Sequence, residues 1–73
     1  MANELLLAPT GAGDVLRRWM ADNKVTVKSL SETTGLSERT ITALRQGKVN
    51  GNLATWNIIC RRTGLSMDEV MGL

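Results

Sequence analysis

The sequence predicts an all-α fold, a compact bundle of five short helices. Apolar residues recur about every 3.6 residues between turn signals, as on one face of a helix. A four-residue motif that can join two helices occurs twice. No stretch alternates polar and apolar residues as a half-buried strand would, and no hairpin turn signal is present. With 73 residues, the chain is one small domain near the lower size limit for a self-sufficient core.

The repeated motif, Thr-Gly-Leu-Ser, occupies residues 34–37 and 63–66. Its glycine can adopt the left-handed conformation that ends a helix, and its serine can cap the helix that follows. Its leucine can pack on the residue four places into the new helix, which is apolar in both copies (Ile41 and Val70). Because so short a turn makes two helices meet at a steep angle, the first copy predicts a helix-turn-helix.

The start of the chain is predicted to lie outside the bundle. Pro9, Gly11 and Gly13 interrupt any regular element there, so residues 1–12 are expected to form an N-terminal arm. Residues 13–73 are expected to form the helix-turn-helix domain. The three leucines at 5–7 are expected either to pack on the bundle or to contact another subunit, and the sequence does not favour one of these.

The helices are predicted from their capping residues and apolar spacing, with ends uncertain by about two to four residues. The expected spans are Asp14–Asn23, then Thr26–Thr34 with Thr26 as cap, then Glu38–Gln46 ended by Gly47. A fourth helix follows the cap Asn52 and runs to about Thr63, and a short fifth helix follows Ser66, which can form a capping box with Glu69. The expected core is Leu16, Trp19, Leu30, Leu36, Ile41, Leu44, Leu53, Trp56 and Ile59.

The composition excludes several classes of protein. The chain has no histidine and one cysteine, Cys60, so no metal site or other cofactor is expected and no disulfide can form within the chain. Cys60 is expected to be a core residue, and the lack of disulfides fits a reducing cytoplasm. No apolar run is long enough to cross a membrane, and the leucines at 5–7 lack the length and basic flank of a signal peptide. Without a histidine, a paired-acid site or a phosphate-binding loop, the chain is not expected to be an enzyme.

The positive charge is concentrated in the middle of the chain. Between Lys24 and Arg62, seven basic residues accompany two acidic residues, Glu32 and Glu38, whereas the whole chain has a net charge of +2. This distribution indicates a polyanionic partner. A basic face that is only solvated is the alternative interpretation.

The third predicted helix has an apolar inner edge and a polar outer face. At 100° per residue, Ile41 and Leu44 lie about 60° apart and must face the core. The other side presents slender polar residues of a kind that fits the major groove of B-DNA. Arg39 could donate to guanine, Gln46 could pair with adenine, and Glu38 could accept from cytosine. Thr42 or Ala43 could contact a thymine methyl group, although each of these side chains could also be merely solvated.

The stretch from Val25 to Val70 resembles the Cro/repressor-type helix-turn-helix domains of phage and bacterial regulators, the lambda repressor-like DNA-binding fold. The resemblance is carried by Leu30-Ser31, Thr34-Gly35-Leu36-Ser37, Ile41, Leu44, Gly47-Lys48, Asn52-Leu53 and the residues from Thr63 to Val70. It implies a five-helix bundle in which the second and third helices form the DNA-binding unit. By the same resemblance, the bases are contacted by Ser37, Glu38, Arg39, Thr42, Ala43 and Gln46, and the phosphates by Lys28, Lys48, Asn50 and Asn52.

Three positions depart from the family's usual pattern. Val27 stands where a glutamine is common, which removes one side-chain phosphate contact. Ser31 replaces a common alanine of similar size, and the close approach of the helices is therefore expected to persist. Arg45 replaces an acid before the glycine, which adds positive charge and makes Arg45 a further phosphate-contacting residue.

The resemblance and the charge together imply a sequence-specific regulator of transcription that binds double-stranded DNA, either a phage- or prophage-type repressor or a Cro-like protein. Such domains usually bind pseudo-palindromic operators as homodimers, because one helix contacts only a few base pairs. The alternative is a helical protein-interaction module that keeps the bundle without DNA binding. A module of that kind would not need Lys28, Arg45 and Lys48 around one edge.

Overall fold

Five helices form the part of the chain that the computed structural model describes, residues 11–72. They are α1 (Ala12–Asp22), α2 (Val27–Thr34), α3 (Glu38–Arg45), α4 (Leu53–Thr63) and α5 (Met67–Met71). No strand is present in this range, and the predicted all-α fold is confirmed. Of the predicted arm, residues 1–10 lie outside the described residues, as do the leucines at 5–7.

Four predicted caps are present with the expected hydrogen bonds. The side-chain oxygens of Thr26, Ser37, Asn52 and Ser66 each accept from the backbone N–H three residues later, at 2.8–3.4 Å. The capping box at Ser66 is half formed among residues 11–72. The Glu69 N–H donates to Ser66 Oγ, but in this range the Ser66 N–H does not donate to the Glu69 carboxylate in return.

Helix α1 begins two residues earlier than predicted, at Ala12. Gly13 was expected to interrupt the chain, but it is a buried residue of the first turn. A Cβ added there would collide with the Leu44 carbonyl oxygen at the end of α3. The backbones of α1 and α3 therefore approach closely at Gly13, and its lack of a side chain permits that crossing.

The two copies of the repeated Thr-Gly-Leu-Ser motif adopt the same backbone geometry. Gly35 and Gly64 have φ of +79° and +83°, and each donates its N–H to the carbonyl four residues earlier. The preceding threonine of each copy adds a bridge that was not predicted. Its hydroxyl donates to the carbonyl four residues earlier, at 2.8 Å in Thr34 and 2.7 Å in Thr63. The same hydroxyl accepts from the leucine N–H two residues later, so one side chain bonds to both sides of the corner.

The helices contact one another in a closed cycle around the core. Helix α1 packs on α3 and α5, α2 packs on α3 and α4, and α4 packs on α5. The buried apolar residues that fill the centre are Ala12, Leu16, Met20, Leu30, Ile41, Leu44, Trp56, Ile59, Leu65 and Val70. Helix α3 is thus held from α1 on one side and α2 on the other.

Three residues expected in the core are only half-buried: Trp19, Leu36 and Leu53. Trp19 lies about 60° around α1 from Leu16, away from the buried side that Met20 shares. Leu53 opens α4 and lies about 90° from the direction of its buried residues. Leu36 lies in the corner between α2 and α3, and like Trp19 it packs against the core from its edge.

Candidate nucleic-acid interface

Helix α3 turns one side to the core and the other to solvent. Ile41 and Leu44 are fully buried between the neighbouring helices, as the spacing predicted. Glu38, Arg39 and Gln46 are exposed on the opposite side. Thr42 and Ala43 are half-buried between these two sides, so their methyl groups form the floor of the outer face.

The structure brings most of the predicted base-contacting residues together. A shallow, open depression on the outer side of α3 is lined by Glu38, Arg39, Thr42, Ala43, Gln46 and Lys48. This set offers guanidinium and ammonium donors, one carboxylate acceptor, one amide that both donates and accepts, and two methyl-bearing side chains. We call it the α3 surface. These are the groups that direct recognition of base edges requires.

Ser37 directly precedes the first residue of this surface and is the N-cap of α3. Its hydroxyl accepts from the Thr40 N–H at 3.1 Å and donates to Thr40 Oγ1 at 2.8 Å. The hydroxyl proton is therefore engaged within the protein. What Ser37 can still offer a ligand is one lone pair, that is, an acceptor.

Gln46 follows the last residue of α3 and serves as its C-cap. The chain then leaves the helix through Gly47, whose φ is +75°. The N–H groups of Gly47 and Lys48 donate to the carbonyls of Leu44 and Ala43, which ties the exit to the last turn of the helix. Gln46 and Lys48 consequently have a backbone that is fixed relative to α3.

The predicted phosphate-contacting residues lie on α2, on α3 and on the segment that follows α3. Lys28 is exposed in the first turn of α2, whereas Val27 beside it is half-buried and packs against the core. Lys48, Asn50 and Asn52 are exposed on the segment between α3 and α4.

Two of the predicted phosphate-contacting residues are less available to a ligand, one through burial and one through a hydrogen bond within the protein. Arg45 is half-buried on the flank of α3. The Asn52 side-chain oxygen accepts from the Thr55 N–H at 2.8 Å, so its amide NH₂ is the group left to donate outward.

The charges of the α3 surface are not neutralised by their described neighbours. The ion pair within residues 11–72 joins Arg17 to Asp14 at 3.2 Å on the exposed side of α1, and none there includes Arg39, Arg45 or Lys48. In the same range, no group of acidic or cysteine side chains could hold a metal ion. Every helix described falls short of the length and apolar character that crossing a membrane requires.

Cys60 was expected to be a core residue, but it is half-buried and packs against the core from outside it. Its Sγ lies 3.8 Å from Met67 Sδ. Burial raises the pKa of the Cys60 thiol, which keeps it in the neutral form.

Two features near the interface were not predicted. The Ser31 hydroxyl donates to the Leu36 carbonyl and so closes the corner between α2 and α3 from inside. The Trp56 indole N–H donates to the Asn50 carbonyl in the segment after α3. The threonine bonds of the two corners could have been predicted, because the threonine recurs in the sequence. The Ser31 and Trp56 bonds could not, because their partners come into contact only when the chain folds.

A comparison with known families agrees with this geometry. The sequence model of the Cro/C1-type HTH DNA-binding domain matches residues 15–73, which include all five described helices except the first turn of α1. Searches of curated proteins and of solved structures found no match. The matched family consists of DNA-binding domains and not of enzymes, in agreement with the sequence prediction. The chain belongs to the Cro/C1-type helix-turn-helix family of DNA-binding domains.

Proposed function

We propose that the chain is a sequence-specific regulator of transcription that inserts α3 into the major groove of its operator. The observation that supports this most strongly is the α3 surface. Five of the six predicted base-contacting residues line one open depression, and Lys48 lies at its margin. A cytoplasmic location, where DNA and reduced thiols are both found, is part of this proposal.

The residues divide into two roles by position. Arg39, Thr42 and Gln46 lie on the outer face of α3, where base edges would be within reach, and Ser37 and Glu38 lie at its start. Lys28, Lys48 and Asn50 lie beside that face, where the sugar-phosphate backbone would pass; Arg45 and Asn52 extend the same margins. Contacts of the first kind discriminate between sequences, and contacts of the second kind add affinity for any duplex.

We further propose that the protein acts as a homodimer on a pseudo-palindromic site, in the manner of a phage repressor or a Cro-like protein. A single α3 spans only a few base pairs, which is too short a sequence to be distinctive. Two copies related by a two-fold axis would double the length of the recognised sequence. The expected half-site spacing is about one helical turn of DNA or a multiple of it.

The test begins with selection of a preferred duplex from a random library, followed by affinity measurements at several salt concentrations. Arg39→Ala is expected to reduce discrimination at one base pair per half-site by about 1–3 kcal/mol. Lys28→Ala and Lys48→Ala are expected to weaken all duplexes by similar factors. Each should also make the salt slope shallower by about one for every phosphate that the variant no longer neutralises.

Arg17→Ala is the matched control, because Arg17 is an exposed arginine on α1 that pairs with Asp14. Its removal should change neither discrimination nor the salt slope. If Arg39→Ala weakens every sequence equally, Arg39 contacts phosphate instead of a base. If the unmodified chain shows no preference for any duplex and no salt dependence, the protein-interaction module becomes the better interpretation.

A further inference from the structure

The segment between α3 and α4, residues 46–52, is attached to the core by one side chain. Trp56 is fully buried in α4, with 0% of its surface exposed. Its indole N–H donates to the Asn50 carbonyl oxygen at 2.7 Å, a short hydrogen bond across six residues. A buried indole N–H needs such a partner, and here the partner belongs to the segment that carries Lys48 and Asn50.

The residue after Asn50 is fitted against the same ring. A Cβ added to Gly51 would lie 2.9 Å from Trp56 Nε1 and 2.7 Å from Leu44 Cδ2, both too close for a real contact. Gly51 thus rests directly on one core residue of α4 and one of α3. The middle of the segment is seated against the two helices that flank it.

Both ends of the segment are fixed as well. At the α3 end, the N–H groups of Gly47 and Lys48 donate to carbonyls of the last turn. At the α4 end, Asn52 caps the helix through the Thr55 N–H. Between these ends, the indole bond is the side-chain hydrogen bond that holds residues 49–51 among those described for residues 11–72. Within that range, the position of Asn50 relative to α3 therefore depends on Trp56.

We propose that Trp56 is a positioning residue for DNA binding. It contacts no DNA itself, but through the Asn50 carbonyl it holds residues 49–51, so that the exposed Asn50 side chain lies at the distance from α3 at which it meets a phosphate while α3 lies in the groove. This inference rests on the proposed function. It assigns to a core tryptophan an effect on affinity for every duplex and no effect on the choice of sequence.

The test removes the indole N–H and retains the shape of the ring. Replacement of Trp56 by β-(3-benzothienyl)alanine exchanges the N–H for sulfur with little change in volume, and Trp56→Phe is the genetically simple companion. Affinity for the selected and the scrambled duplex is expected to fall by the same factor, about threefold to tenfold per subunit, as for removal of one hydrogen bond. The salt slope is expected to stay the same, because Asn50 is neutral and the backbone of Lys48 is held by its own bond to the Ala43 carbonyl.

The same replacements at Trp19 provide the matched control. Trp19 is half-buried, and within residues 11–72 its indole N–H has no hydrogen-bond partner. These variants should bind both duplexes like the unmodified chain. All affinities are measured at a temperature at which thermal melting shows every variant to be folded. If Trp56 has a purely structural role, its variants will melt at a lower temperature but bind both duplexes with unchanged affinity where they are folded, and that result would overturn the proposal.

A second measurement needs no DNA. In the free protein, the amide signals of residues 49–51 are expected to shift and to exchange faster with solvent when the indole N–H is removed, while those of α3 stay unchanged. If the signals of residues 49–51 do not change, Trp56 does not hold the segment, and the proposal is wrong even if DNA binding is confirmed. If the segment loosens but the unmodified chain binds no duplex, the proposed function has failed, and with it the role of Trp56 in DNA binding.

Discussion

Lys24 has a backbone conformation that side chains rarely adopt. Its φ is +55°, the one positive value at a non-glycine position in residues 11–72. The Lys24 N–H donates to the Ala21 carbonyl and the Val25 N–H to the Met20 carbonyl, which is the Schellman pattern that ends α1. The same pattern ends α3, where Gly47 occupies the equivalent position. At the end of α1, the chain therefore accepts a strain that it avoids at the end of α3.

Replacing Lys24 by glycine should relieve that strain. Lys24→Gly is expected to raise the free energy of unfolding by roughly 0.5–1 kcal/mol, because a left-handed residue with a Cβ is disfavoured and glycine is not. Urea denaturation monitored by circular dichroism measures the change. Lys24→Ala removes the same charge and keeps a Cβ, so it should bring no gain. Equal stabilisation by both variants would assign the effect to the charge.

At the scale of elements, one corner occurs twice with different consequences. The corner at residues 34–37 joins α2 to α3, which carries the α3 surface, and the corner at 63–66 joins α4 to α5. The backbone hydrogen bond, the threonine bridge and the serine cap are the same in both. The first corner has one further bond, from the Ser31 hydroxyl to the Leu36 carbonyl, and Cys60 stands at the equivalent place in the second. The more strongly bonded corner is the one that orients α3.

Substitution of Gly35 and of Gly64 can test whether the two corners differ in their effect on DNA binding. A Cβ at Gly35 or at Gly64 would meet open space, so substitution by alanine strains only the backbone. Gly35→Ala and Gly64→Ala are each expected to cost about 1–2 kcal/mol of stability. Only Gly35→Ala should also weaken DNA binding, because it alters the angle at which α3 leaves α2. An equal reduction of affinity in both variants would contradict the assignment of α3 as the DNA-contacting helix.

The sequence was sufficient to predict the five helices because each has a local signal. Caps and left-handed glycines act over three or four residues, so Ser37, Gly35 and Gly47 were found from spacing alone. The early start of α1 was missed because Gly13 disfavours a helix locally but is needed where α1 crosses α3. The Trp56–Asn50 bond was missed for the same kind of reason, since a hydrogen bond between a core ring and a loop carbonyl has no pattern in the sequence.

At the scale of the whole molecule, the closed cycle of helix contacts presents α3 as a rigid unit. Helices α1 and α2 hold it from two sides, and its buried residues Ile41 and Leu44 belong to the common core. The outer face stays open, Lys48 on the following segment is one of the residues that line it, and Lys28 is exposed on α2. A rigid helix with free polar groups and basic margins is suited to a grooved polyanion. Since the α3 surface draws on α3 and on the segment that follows it, it exists only when the bundle is folded.

The most direct measurement is a salt titration of the unmodified chain on its selected duplex and on a scrambled duplex of equal length and composition. The logarithm of the affinity is expected to fall linearly with the logarithm of salt concentration on both, by about 0.9 per phosphate contact. The chain should bind the selected duplex at least about a thousandfold more tightly than the scrambled duplex. Equal affinity for both duplexes would show that α3 does not recognise bases. Affinity that is insensitive to salt, or no binding at all, would contradict DNA binding by this surface.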